Sequence, residues 1–160
     1  MGMSPITLTP IGTVRSPVHE PLDDVWGGVQ SRIELDPALC PPECLAGLDE
    51  FSHVEILFYL DRVPESEIIH GARHPRNRPD WPEAGIFAQR AKRRPNRIGA
   101  TTCRLLKVER LAIAVEGLDA IDGTPVLDIK PYIKEFGPRS PVRQPAWASE
   151  LMAGYWGRLC

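Results

Sequence analysis

Hydrophobic and polar positions along this chain alternate in short runs that are interrupted too often for long helices. Ile6 to Val14 reads as a first strand, closing at Arg15-Ser16-Pro17. Val29 to Leu35 alternates, with Val29, Ile33 and Leu35 on one face. Phe51 to Leu60 is the strongest apolar run and is expected to be buried on both faces. Ile86 to Ala88, Ile98 to Val108, Leu111 to Glu116 and Pro125 to Ile129 complete the predicted strands.

Helical signals are few. Pro41 to Ala46 fits one short helix, with proline early in the turn and Gly47 as its stop. The tail from Ala146 to Leu159 carries Trp147, Leu151 and Tyr155 at helical spacing, read as core or dimer contacts. The 17 prolines and 13 glycines leave little room for anything longer. About seven short strands with two small helices imply a fold dominated by β structure. The expected architecture is a small closed or nearly closed β-barrel, not a doubly wound α/β sheet. The chain of 160 residues is expected to be a single domain over 1–160. Its longest irregular stretch, Arg62 to Ala84, is of a length that is usually functional or disordered.

Composition changes this picture only slightly. Hydrophobic residues make up 42% and charged residues 25%, ordinary globular values. A formal net charge of −2 argues against wholesale coating of nucleic acid, so a polyanion would have to meet a local basic patch. No apolar run is long enough to span a bilayer and no basic-then-apolar leader opens the chain, so a cytoplasmic protein is expected. Cys40 and Cys44 lack a second pair or matching histidines, so free thiols and no metal are expected. His70 and His74 read as loop histidines, and His53, in an apolar strand, as a satisfied core residue.

The most telling segment runs from Gly85 to Gly99. Ile86-Phe87-Ala88 leads into Arg90, Lys92, Arg93 and Arg94, and Arg94-Pro95-Asn96-Arg97 then turns the chain toward Ile98-Gly99. Guanidinium groups beside backbone N–H groups suit a carboxylate or phosphate, with a solvated basic loop as the alternative. A second candidate lies between Glu116 and Pro125. Asp122-Gly123 is a turn signal that structure alone explains. Asp119 follows Gly117, where glycine lets a ligand approach the backbone, and its carboxylate suits a ribose hydroxyl or an ammonium group. Asp128 and Lys130, two apart on a strand, share a face and can form an ion pair or a functional pair. A nucleophile elbow, P-loop, dinucleotide fingerprint and metal-binding histidine pair are all missing, so the usual machinery of hydrolysis, phosphoryl transfer and hydride transfer is not there.

Taken in order, Ile11 to Pro17, Leu48 to Leu60 with Phe51-Ser52-His53, Gly85 to Gly99, and Asp119 to Tyr132 resemble the TsaA-like (TrmO) family. The most specific parts are Arg94-Pro95-Asn96-x-Ile98-Gly99 and Asp122-Gly123-Thr124-Pro125-Val126-Leu127-Asp128-Ile129-Lys130-Pro131-Tyr132. The resemblance implies an S-adenosylmethionine-dependent methyltransferase acting on N6 of threonylcarbamoylated adenosine 37 in tRNA. It also implies a barrel working as a homodimer, in a short form without the C-terminal domain of longer bacterial members. By motif, the cofactor is expected against Asp61, Arg62, Arg90 and Ala100, with Gly117, Leu118 and Asp119 lining its adenosine end. Trp26 and Gly27 fall in the early loop that closes the family's site. Lys92, Arg93, Arg94 and Arg97 are expected to bear on tRNA phosphates, helped by Arg139 and Arg143, and Asp128 is the candidate catalytic acceptor for the N6 proton. The chain departs from the family where Ala91-Lys92-Arg93 replaces Ser-Pro-Phe or Ser-Thr-Phe, where Arg97 replaces proline, and from Arg73 to Glu83. Those departures keep open a small-molecule methyl acceptor or a non-catalytic cofactor-binding adaptor.

Overall fold

The computed structural model describes residues 2–160. Six strands close into an antiparallel barrel: β1 (Gly12–Arg15), β2 (Gln30–Leu35), β3 (His53–Tyr59), β6 (Ile98–Val108), β7 (Ala112–Glu116) and β8 (Pro125–Pro131). Their order around the barrel is β1-β2-β7-β6-β3-β8, and β8 returns to β1 through Gly12↔Val126. Two further two-residue strands, β4 (Ala72–Arg73) and β5 (Ala84–Gly85), pair outside the barrel.

Period-two alternation is what closes this sheet around one core. Val14, Ile33, Val54, Ile56, Cys103, Ile113, Val115 and Val126 turn inward from the strands and are almost fully buried. Leu45 and Leu118 plug the two ends of the interior from adjoining segments. β3 is buried on one face only, because Val54, Ile56 and Phe58 point in while His53, Glu55, Leu57 and Tyr59 point out. His53 is therefore exposed, not a core histidine; it bonds Ser52 Oγ at 2.7 Å.

Several predicted elements shift. The first strand begins only after Pro10, which has no N–H to give a ladder. Ile6 and Leu8 before it are exposed, at 84% and 59%. Ile86–Ala88 is a 3-10 turn, with Ile86 buried and Phe87 exposed, because three apolar residues carry too little periodicity to distinguish turn from strand. The short helix is a 3-10 turn over Pro42–Leu45. The tail forms one helix, α1 (Ala146–Met152), then turns back through Gly154 to Gly157.

The long stretch after β3 is ordered by internal bonds. Gln89, buried, donates from Nε2 to the carbonyls of Arg73 and Ala84 at 2.9 and 2.8 Å, stapling the β4–β5 ribbon. His74 Nδ1 meets the Trp81 carbonyl at 2.6 Å.

Replacing Ile56, which is 0% exposed, with Ala is expected to destabilise the fold by about 2–5 kcal/mol through lost burial and an internal cavity. A reduced denaturation midpoint with an unchanged slope in urea checks this.

Candidate functional site

Five strand ends and the start of β8 converge at one mouth of the barrel. The ladder pairs Gln30 with Glu116, Tyr59 with Ile98, and Thr13 with Pro125. Glu116 meets β6 at Arg104, so the end of β3 and the start of β6 project past β7, and the chain leaving β7 brings Asp119 against Thr101. The predicted residues Asp61, Arg62, Gly117, Leu118 and Asp119 follow these ends and Ala100 lies in the first rungs of the ladder inside β6, so the structure brings them toward the same mouth.

Arg90, exposed on the loop before β6, donates from its guanidinium to the carbonyl of Ala100, so two expected cofactor residues are in direct contact. One of its five N–H donors is engaged there. Arg62 is tied across the mouth to the 16–29 loop, donating to His19 O at 2.8 Å and to Glu20 Oε2 at 3.0 Å. Gly117 has a φ of +85°, and a Cβ built on it would meet nothing within 4 Å. Its backbone therefore faces open space that a side chain would begin to fill.

Asp119 is the most constrained polar group of the mouth. Thr101, buried inside β6, donates to one carboxylate oxygen, and Tyr155 of the tail donates to the other. Burial first, then the Asp119 charge, pushes the Tyr155 phenol well above its ordinary pKa, while Arg90 and Arg76 pull it the other way. These four groups therefore share one electrostatic neighbourhood. Cys103, next inward from Thr101 on β6, is a thiol pushed up to about 12 by burial and by Asp119, which makes it inert.

Three segments roof this mouth and lock to one another. The tail pairs with the 25–27 segment through Val25 N→Gly154 O at 3.2 Å, Trp26 N→Tyr155 O at 2.9 Å and Gly27 N→Gly157 O at 3.1 Å. Arg76 of the 62–97 loop holds Asp24 Oδ1 at 2.9 Å and the Asp23 carbonyl at 2.7 Å. Trp81 of that loop donates from its indole to Glu150 of α1 at 2.7 Å. Val25, β-branched, sits at a φ of +68° in the middle of this lock. Trp26 is buried, with its indole N–H on the Leu22 carbonyl at 3.3 Å, so it reaches the site through its backbone hold on Tyr155.

The basic segment is partly structural. Arg94 donates to Gln89 O at 2.6 Å, Arg97 to Val63 O at 2.7 Å while lying over the Tyr59 ring, and Arg93 pairs with Glu67 at 2.9 Å. Lys92 is exposed. Arg73 is lowered in pKa by burial and by the neighbouring charge of Arg93. The buried Nε atoms of Arg73, Arg93 and Arg97 meet no acceptor among the described residues.

Asp128 is set back from the rim of this mouth, level with Leu57 and Ala100. β8 runs away from it, and three residues of strand place Asp128 about 10 Å further down the barrel than Pro125. There it pairs with Lys130 at 2.8 Å and lines a cavity of about 530 Å³ with Cys40, Cys44, Leu45 and Phe51. The expected ion pair exists, and the residue expected to accept the N6 proton lies across Leu57 from Ala100, two strands round the barrel from it. Tyr155 and Thr101 are the site residues that sequence reasoning missed. Helical spacing singled out Tyr155 only as a packing residue, and nothing local distinguishes Thr101 from Thr102.

A Cβ on Gly27 would lie 2.0 Å from the Trp156 carbonyl oxygen, so Gly27→Ala must push the tail off the 25–27 segment. The expected outcome is faster proteolytic cleavage around residues 145–158, and a stability loss of about 1–3 kcal/mol. Limited proteolysis beside thermal unfolding measures both.

A family profile described as the tRNA-methyltransferase O N-terminal domain matches residues 20–137. A mouse protein named tRNA (adenine(37)-N6)-methyltransferase is 45% identical over 96 residues, covering 60% of this chain and 22% of the mouse protein. A probable S-adenosyl-L-methionine-binding protein of Pyrococcus abyssi is 32% identical over 148 residues, covering 86% of this chain and 74% of that protein. The crystal structure of TrmO from P. aeruginosa superposes with a TM-score of 0.73 at 31% identity, over 91% of this chain and 63% of that one. The chain thus spans about a fifth of the mouse protein it matches and under two thirds of the crystallised one. With more than half of its residues inside the profile and the same barrel in the solved structure, the chain belongs to the tRNA-methyltransferase O N-terminal domain family.

Proposed function

We propose that this protein is an S-adenosylmethionine-dependent methyltransferase that modifies N6 of adenosine 37 in tRNA, on the threonylcarbamoylated nucleoside. The observation that carries the reading is the mouth itself: a guanidinium, an open glycine backbone and a fixed carboxylate gathered at one barrel end. The names of the similar proteins, which speak of the same cofactor and of adenine 37, support it from outside the geometry.

The donor set matches the cofactor's chemistry. Arg90, with four N–H donors remaining, suits the methionine carboxylate. Asp119 accepts two hydrogen bonds of the roughly four a carboxylate can take, which leaves lone pairs for ribose hydroxyls. Gly117 and Leu118 offer backbone to the adenine, with Ala100, Asp61 and Arg62 closing the side toward β3. When bound, the cofactor supplies a methyl group already electrophilic through its sulfonium charge. The task of the protein is alignment of the acceptor nitrogen and exclusion of water, which well-oriented binding achieves.

For the RNA, Lys92 and the outward donors of Arg93, Arg94 and Arg97 form the phosphate-facing side. The partnerless Nε groups of Arg73, Arg93 and Arg97 support an anion being held in that loop. Asp128 has no part in this reading, being engaged by Lys130 at 2.8 Å. We propose a homodimer in the cytoplasm as the working form.

The reading predicts transfer of label from methyl-labelled S-adenosylmethionine into tRNA carrying the threonylcarbamoyl group, and none into tRNA lacking adenosine 37. Label found only in small molecules, or cofactor binding without transfer, sinks it in favour of the other acceptors or of an adaptor. Arg90→Ala is expected to weaken S-adenosylhomocysteine binding by about 10- to 100-fold in calorimetry, from the loss of a charge-assisted carboxylate contact. Affinity for tRNA is expected to fall steeply and linearly in log–log form with salt, as phosphate contacts require.

A further inference from the structure

The tail beyond residue 137 lies outside the stretch matched by the family profile, yet it delivers a side chain into the mouth. We infer that Tyr155 is a positioning residue of the cofactor site: its hydroxyl fixes the Asp119 carboxylate so that the remaining lone pairs meet the hydroxyls of the bound nucleoside. This inference rests on the proposed role of Asp119 in cofactor binding and adds to it a residue, a segment and a division of labour.

Geometry makes the case first. A carboxylate held at one oxygen can still swing about its Cβ–Cγ bond. Asp119 is held at both, by Thr101 from within the barrel and by Tyr155 from the roof. The two donors approach from different elements, so the plane of the carboxylate is set by the docking of the tail on the barrel.

Tyr155 is itself held firmly. Hydrogen bonds join Gly154, Tyr155 and Gly157 to Val25, Trp26 and Gly27, at 3.2, 2.9 and 3.1 Å. Its ring packs edge-on to Trp156 with centroids 4.8 Å apart at 85°. A phenol on a side chain with two rotatable bonds, fixed at its backbone on one side and by a ring on the other, is a stiffer donor than a serine or a water.

Electrostatics then decides the role. Burial and the Asp119 charge keep the phenol protonated through the working pH range, against the opposing pull of Arg90 and Arg76. Such a group donates to a carboxylate and does not take a proton from an incoming nitrogen. Tyr155 therefore acts through Asp119, not on the reacting atoms. The same roof segment that crosses the mouth also sets the Asp119 carboxylate, so tail docking and ligand orientation are coupled in a single piece of chain.

The test is calorimetric, on the full chain, with S-adenosylhomocysteine and its 2′-deoxy and 3′-deoxy analogues. Tyr155→Phe keeps the ring and removes one oxygen. It is expected to weaken S-adenosylhomocysteine about tenfold while leaving the affinity for the relevant deoxy analogue nearly unchanged. In the Asp119→Ala background, the same change is expected to have no further effect. Equal affinity of Tyr155→Phe and wild type, or losses that simply add in the double variant, overturns the inference. Should Tyr155→Phe fail to fold, the wild-type protein still decides: both deoxy analogues binding as well as the parent removes the hydroxyl contact on which the role depends. No binding of S-adenosylhomocysteine by the wild type is a different result, which overturns the proposed function itself.

Discussion

The carboxylate of Asp119 is the point on which this structure turns. It sits just beyond β7, one residue past the buried Leu118 plug, and receives a hydroxyl from the barrel wall and another from the tail. A carboxylate so close to a closed apolar core needs partners, since desolvating a charge without hydrogen bonds is far costlier than burying the hydroxyls that satisfy it. Thr101 and Tyr155 meet that need from two sides, and in doing so they join the barrel to the last segment of the chain. Everything at the mouth is arranged around that junction.

The barrel can support such a site because its two ends differ. At the far end, the Pro42–Leu45 turn seats Leu45 in the core, and around it lies a cavity lined mainly by apolar side chains and two thiols. At the mouth, three segments, the 16–29 loop, the 62–97 loop and the tail, cross over the strand ends. Connections of this length can be ordered only if their own polar groups find partners. Here they find one another, through Arg76 with Asp24, Trp81 with Glu150, and the Val25–Gly27 segment with the tail. Much of the basic segment serves the same end. Arg94 and Arg97 each donate to a loop carbonyl, so the arginines organise the loop while leaving other donors facing out.

How much of this was legible beforehand depends on how local each signal is. The β6 strand falls where alternation put it, over Ile98–Val108, because eleven residues give the period-two pattern room to show. Ile86–Ala88 gave the same apolar signal over three residues and proved to be a turn. Asp122-Gly123 was a turn by composition, and Gly123 has a φ of +84° with Asp122 capping Ser16 N at 3.0 Å. His53 misled because an apolar neighbourhood in sequence says nothing about which face of a strand a residue occupies unless the register is known. Arg90, Ala100, Gly117 and Asp119 were named from motif resemblance, and the fold brings them to one mouth although the first and the last are 29 positions apart in the chain.

By itself, then, the sequence determined the material of this protein: short alternating strands, proline and glycine stops, a dominant β fold, and a set of family motifs whose residues mark one end of a barrel. Those are local properties, written in period, composition and spacing. Tertiary structure alone decided that Tyr155 and Thr101 share one carboxylate and that Asp128 lies down the barrel with Lys130. It also decided that Trp26 meets the tail through its backbone. Each of these is a meeting of residues far apart in the chain, or a choice of which way a strand runs from its end. Such relations are set by closing the sheet and docking the tail, and no local pattern carries them.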